Sequence, residues 1–192
     1  MKRLIFSLLL AAASMASTLA GGFDGAEVIE LPSDSGEHAT LYLYRPEKPC
    51  GTAVVACPGG AYAGLAMEHE GTMFAPWFAE QGITYAILRY RLPEGRSEVP
   101  GDDVRSAIAL LRSKADSLRI DKVGVMGFSA GGHLASTVAT HYTVSTRPDF
   151  QILFYPVVTM DASFTHGTTR RKLLGEKPSE EAVELYSNEL QV

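Results

Sequence analysis

Gly127-Phe128-Ser129-Ala130-Gly131-Gly132 sets a serine between glycines two residues before and two residues after it. Glycines so placed let neighbouring backbone close tightly around one hydroxyl, the G-x-S-x-G pattern of a nucleophile held on a strained turn. The chemistry such a hydroxyl supports is attack on an acyl carbon, with the developing oxyanion received by backbone N–H groups. Ala130 offers one of these N–H groups at the start of the segment that follows. A second glycine-rich stretch, Cys57-Pro58-Gly59-Gly60-Ala61-Tyr62, lies upstream, where glycines let backbone N–H groups approach a ligand closely, most simply the same oxyanion. No lysine follows these glycines as in a P-loop, and the G-x-G-x-x-G spacing is not met, which argues against a phosphate cradle.

A turn of this kind needs a strand to deliver it and a helix to receive it. Val123-Gly124-Val125-Met126 is an apolar, β-branched run of the strand type, and Leu134 and Val138 fall four apart, on one face of a following helix. Residues 52–57 form a continuous apolar run of the buried kind that ends at the upstream glycines. Further strands are expected over 27–31, 39–45, 83–90 and 150–155. Helices are expected over 74–81, with Pro76 in the first turn and Trp77 and Phe78 in the core, and from a cap at Asp102 or Asp103. In the latter, Val104, Ala107, Ile108, Leu111 and Ala115 make an apolar stripe. A last helix is expected to start near Ser179. Strands alternating with helices imply a mostly parallel sheet with helices on both faces.

Composition narrows the partners. At 46% hydrophobic and 20% charged over 192 residues, one globular domain is expected. With 17 Lys and Arg against 22 Asp and Glu the net charge is −5, and Arg170-Arg171-Lys172 is too short a basic run to bind nucleic acid. Met1-Lys2-Arg3, an apolar stretch and small residues through Ala20 read as a signal peptide over 1–20, cut after Ala20 or Ala16. Secretion or a periplasmic location follows, with no membrane association once the leader is removed. Cys50 and Cys57 flank one strand and would stand about 23 Å apart at ~3.3 Å per residue, beyond disulfide reach, so two free thiols are expected. Glu68-His69-Glu70 lacks ligand spacing and reads as surface or local hydrogen bonding, so no metal or other cofactor is expected.

With these motifs in place the chain resembles the α/β-hydrolase superfamily, in the secreted esterase and lipase branch that includes bacterial acetylesterases and acetyl-xylan esterases. The resemblance runs from about residue 39 to residue 192. Its most specific matches are Cys57-Pro58-Gly59-Gly60-Ala61-Tyr62, Tyr90-Arg91-Leu92-Pro93 and the stretch from Gly127 to Ala135. It implies that Ser129 attacks an ester carbonyl while the N–H groups of Ala130, Gly60 and Ala61 bind the oxyanion. Family members usually carry a third glycine where this chain has Ala61. The resemblance also implies an acid and then a histidine on loops after the last two sheet strands, and the chain reaches Val192 without either strand. The expectation is therefore an incomplete α/β-hydrolase domain over 21–192, lacking its last two strands and leaving 150–155 as a sheet edge. Asp161 and His166 are the one Ser…Asp…His order available after the turn, and His133 is the imidazole nearest in sequence. The implied function is a serine carboxylic-ester hydrolase acting on short-chain acyl or acetyl esters of carbohydrates or small alcohols. A catalytically inactive fragment or binding remnant of the fold, and a serine exopeptidase, are the alternatives.

Overall fold

The apolar run after Cys50 becomes β3 (Gly51–Cys57), the central strand of a six-stranded sheet. In the computed structural model, which describes residues 22–33 and 36–192, β3 lies parallel to both β4 (Thr84–Arg89) and β5 (Ile120–Phe128). Outside β5 runs β6 (Gln151–Phe154), also parallel. Outside β4, β2 (Thr40–Tyr44) and then β1 (Glu27–Glu30) pair antiparallel. The order is β1-β2-β4-β3-β5-β6, and the leader expected over 1–20 lies outside the described residues.

Successive strand residues point to opposite faces, which splits the core into two layers. Ala53, Val55 and Cys57 of β3, with Val123 and Val125 of β5, face one side. There they pack against α2 (Val99–Ser113) and α4 (Ser129–Thr140). Val54, Ala56, Ile87, Met126 and Phe128 face the other, against α1 (Ala75–Glu80). A single-turn helix, α3 (Ala115–Leu118), ends at Arg119 in the left-handed region and feeds β5. After β6 come α5 (Gly167–Leu174) and α6 (Glu180–Leu185).

Two sequence expectations are corrected. The helix assigned to an aspartate cap starts earlier, at Val99, with Pro100 in the first turn, where its missing N–H is no loss. Asp103 is then free to turn inwards and pair with Arg91, its carboxylate 2.6 Å from Nη2 and 2.8 Å from the Arg91 backbone N–H. Trp77 is 54% exposed while its neighbour Phe78 is 4% exposed. Consecutive helix residues diverge by about 100°, and the single buried face of so short a helix takes only one of them. Ser179 does cap α6, accepting from the Ala182 N–H at 3.2 Å. The cysteines are free, and burial pushes the Cys57 thiol up to about 12. Among the described residues β6 pairs only with β5, and Phe154, Tyr155 and Val158 at and beyond its end are exposed.

Candidate active site

β5 ends at Phe128 and α4 begins at Ser129, so strand becomes helix within one peptide unit. Ser129 makes that change of direction at φ 51°, the left-handed region that L side chains rarely enter. Close approach explains the glycines around it. A Cβ on Gly127 would lie 2.1 Å from the Gly131 carbonyl oxygen, and one on Gly131 would lie 2.0 Å from the Cys57 carbonyl oxygen. Gly131 thereby presses the start of α4 against the end of β3, which brings the upstream glycine loop beside Ser129. Behind the serine, Val157 donates its N–H to the Ser129 carbonyl at 3.0 Å, tying the segment after β6 to the same turn.

The glycine loop is fixed by side chains from three directions. Tyr90 donates its hydroxyl to the Pro58 carbonyl at 2.7 Å, and Gly59 donates its N–H to Glu70 Oε2 at 2.6 Å. Tyr62 reaches across to His133 Nδ1 at 3.0 Å. Gly60 takes φ 138° and its carbonyl accepts from Ala63 and Gly64, a conformation that needs glycine because a Cβ there would sit 2.2 Å from the Gly64 carbonyl oxygen. Ala61 takes φ 55°, a backbone that glycine would adopt without strain. Among the described residues the N–H groups of Gly60 and Ala61 have no hydrogen-bond acceptor. The N–H of Ala130 belongs to the first turn of α4, which has no acceptor within its own helix.

The imidazoles are placed elsewhere. His133 is fully buried on α4, donating from Nε2 to the Tyr186 carbonyl at 2.8 Å and accepting from Tyr62 at Nδ1. Both ring nitrogens are committed, and burial pulls its pKa down to about 4. His166 is exposed and caps α5, its Nδ1 accepting from the Thr169 N–H at 3.3 Å and lying 2.8 Å from the Thr169 hydroxyl. Asp161 is also exposed and accepts from the Ser163 N–H at 2.8 Å within its own turn. Both line an open groove of about 1240 Å³ formed with Phe164, Arg170 and α6 residues, and that groove contains neither Ser129 nor the glycine loop. His141 ends α4 beside Thr137, His38 bonds the Leu31 carbonyl, and His69 is exposed. Among the described residues no imidazole is hydrogen-bonded to the Ser129 hydroxyl. Sequence reasoning treated Glu70 as surface or local bonding and did not single out Tyr155, yet Tyr155 donates its hydroxyl to Glu70 Oε1 at 2.7 Å.

Among the described residues no three His, Cys, Asp or Glu side chains gather as a metal site, and no helix is long and apolar enough to cross a membrane.

Known proteins are similar to this chain in sequence and in fold. The family model BD-FAE matches residues 41–173. An acetylxylan esterase of Xylanibacter ruminicola is 42% identical over 147 residues, 76% of this chain and 30% of that protein. The endo-1,4-beta-xylanase B of Butyrivibrio fibrisolvens is 33% identical over 156 residues, 72% of this chain and 24% of that protein. The chain thus spans less than a third of either curated relative. Among solved structures, an acetyl ester-xyloside bifunctional hydrolase from Caldicellulosiruptor lactoaceticus superposes with a TM-score of 0.77 at 30% identity. The match covers 87% of this chain and 70% of that one. The apo form of Thermogutta terrifontis esterase 2 gives 0.72 at 26% identity, covering 88% and 68%.

Proposed function

The chain belongs to the BD-FAE family, of the α/β-hydrolase type, and on that footing we propose that it is a serine carboxylic-ester hydrolase acting on short acyl, above all acetyl, esters of carbohydrates. The observation that carries this reading is the serine at φ 51° between strand and helix, beside a glycine loop whose Gly60 and Ala61 N–H groups are without acceptors. In the proposed reaction Ser129 Oγ attacks the ester carbonyl carbon as its proton passes to a general base. The tetrahedral oxyanion is received by the N–H groups of Ala130, Gly60 and Ala61. Its collapse expels the alcohol, and water then releases the acyl group from Ser129. Backbone N–H donors suit this task because they are fixed before reaction and need no reorganisation as charge develops. The acetyl and carbohydrate part of the proposal draws on the names of the Xylanibacter and Caldicellulosiruptor relatives. Secretion is part of the same reading and rests on the leader pattern of residues 1–20.

A second reading has its own support. With no imidazole bonded to the Ser129 hydroxyl among the described residues, the 192-residue form would be an inactive member of the fold, since an unassisted serine hydroxyl is a poor nucleophile. One experiment separates the two. Hydrolysis of p-nitrophenyl acetate and acetate release from acetylated xylan are followed for this chain and for Ser129→Ala. Turnover that disappears in the variant upholds the esterase, and equal background rates in both overturn it. Treatment with paraoxon, followed by peptide mapping, adds a turnover-independent arm: a diethylphosphoryl group on Ser129 is expected.

A further inference from the structure

Glu70 lies between two segments that enclose Ser129. Oε2 accepts from the Gly59 N–H at 2.6 Å and Oε1 accepts from the Tyr155 hydroxyl at 2.7 Å. The carboxylate is packed into the site: a Cβ built on Gly59 would lie 2.7 Å from Glu70 Oε2 and 3.1 Å from Ser129 Cβ. Resting on the reading of Ser129 as nucleophile, we propose that Glu70 is the positioning residue of the oxyanion site, acting as a hydrogen-bond acceptor that aims the Gly60 N–H group.

Peptide planarity makes this specific. Each peptide's C=O and the following N–H lie in one plane and point oppositely, so pinning either end aims the other. The Pro58–Gly59 plane is held at both ends, by the Tyr90 hydroxyl on its carbonyl and by Glu70 on its N–H. The carbonyl of the next plane, Gly59–Gly60, accepts from the Ala66 N–H at 2.9 Å, which leaves the Gly60 N–H as its free end. Ala66 in turn accepts at its carbonyl from the Glu70 N–H at 3.0 Å. Gly59 N–H to Glu70 carboxylate, Glu70 N–H to Ala66 carbonyl and Ala66 N–H to Gly59 carbonyl thus close a ring. The Glu70 side chain is the one link in it that is not backbone to backbone.

The second bond gives the ring a fixed frame. Tyr155 follows β6 at φ 36° and is succeeded by Pro156, which packs on Gly132, and by Val157, which bonds the Ser129 carbonyl. Through Tyr155, Glu70 therefore ties the loop carrying the donors to the segment that supports the nucleophile. Tyr85 bonds the Gly71 carbonyl at 3.1 Å and holds the backbone from which Glu70 projects.

The test compares Glu70→Ala, Glu70→Gln and Tyr155→Phe by p-nitrophenyl acetate kinetics and by amide exchange of the loop from Gly59 to Ala66. Gln keeps both bonds without the charge, its amide oxygen accepting from Gly59 and its NH2 donating to the Tyr155 oxygen. Ala is expected to lower kcat about 10²-fold with KM little changed, because a small misplacement of catalytic donors costs about that much. Gln is expected to stay within about fivefold, the equivalent of one ordinary hydrogen bond, and Phe to lose about the same. Exchange at the bonded N–H groups of Gly59, Ala63, Gly64 and Ala66 is expected to quicken in the Ala variant and not in the Gln variant. Should Glu70→Ala not fold, Gln and Phe still decide the matter. A Gln variant as impaired as Ala, a KM effect without a kcat effect, or unchanged exchange in the Ala variant overturns the proposal. If the unaltered chain lacks Ser129-dependent turnover, the esterase reading has failed, and the exchange arm alone still decides whether Glu70 aims the loop.

Discussion

Lowering the pH should remove stability through His133, and the size of the effect follows from its burial. The imidazole is fully buried, and burial is the largest cause of its fall from 6.5 to about 4, partly offset by its bond to the Tyr186 carbonyl. The folded state therefore holds it neutral while the unfolded chain takes up a proton near pH 6.5. A group whose pKa is depressed on folding contributes stability that is complete above the unfolded value and lost as pH falls towards the folded one. At about 1.4 kcal/mol per unit, the full difference is about 3 kcal/mol, of which about 2 kcal/mol lies between about pH 7 and about pH 5. Other groups also titrate in this range, so the measurement is a difference. Urea unfolding of the unaltered chain and of His133→Gln is recorded at both pH values. Gln can bond the Tyr186 carbonyl and the Tyr62 hydroxyl and does not titrate. With an m of about 2 kcal/mol per molar, the midpoint of the unaltered chain should fall about 1 M further than that of the variant. Parallel falls in the two proteins would refute the reasoning, since His133 would then carry no depressed pKa.

Two further outcomes test the scaffold of the site. Gly131→Ala forces a methyl to within 2.0 Å of the Cys57 carbonyl oxygen and 2.6 Å of that of Pro58, both backbone atoms that cannot rotate away. It should cost about 3 kcal/mol in urea unfolding and should separate the glycine loop from the start of α4. Asp103→Ala removes the carboxylate from Arg91, where the two side chains are 5% and 14% exposed. A loss of about 3 kcal/mol is expected by the same measurement, and a loss below about 1 kcal/mol would place the pair with weak surface ion pairs.

Local pattern was enough for whatever depends on neighbours in sequence. The apolar run 123–126 and the glycines around Ser129 called for strand, tight turn and helix, and β5 and α4 meet there at Ser129. Leu134 and Val138, four apart, are both buried, and Ser179 caps the last helix. The fold class was legible for the same reason, because buried parallel strands and one-sided helices each leave a period in the sequence. Periodicity could not say which of Trp77 and Phe78 faces the core, since a helix of six residues carries too little stripe to fix its own rotation.

Tertiary structure decided the bonding of the polar groups. His133 has its two partners 71 and 53 residues away in Tyr62 and Tyr186. Tyr155, beyond the end of β6, meets Glu70 across 85 residues. Nothing in the spacing of Glu68, His69 and Glu70 distinguishes a surface carboxylate from one that holds the Gly59 N–H, because that bond closes a loop across eleven residues. The sequence by itself determined a serine on a strained turn beside a glycine loop, since sterics at glycine act within a few residues. Which carboxylate meets both Gly59 and Tyr155, and which histidine is spent in the core, depended on tertiary packing that no local pattern encodes.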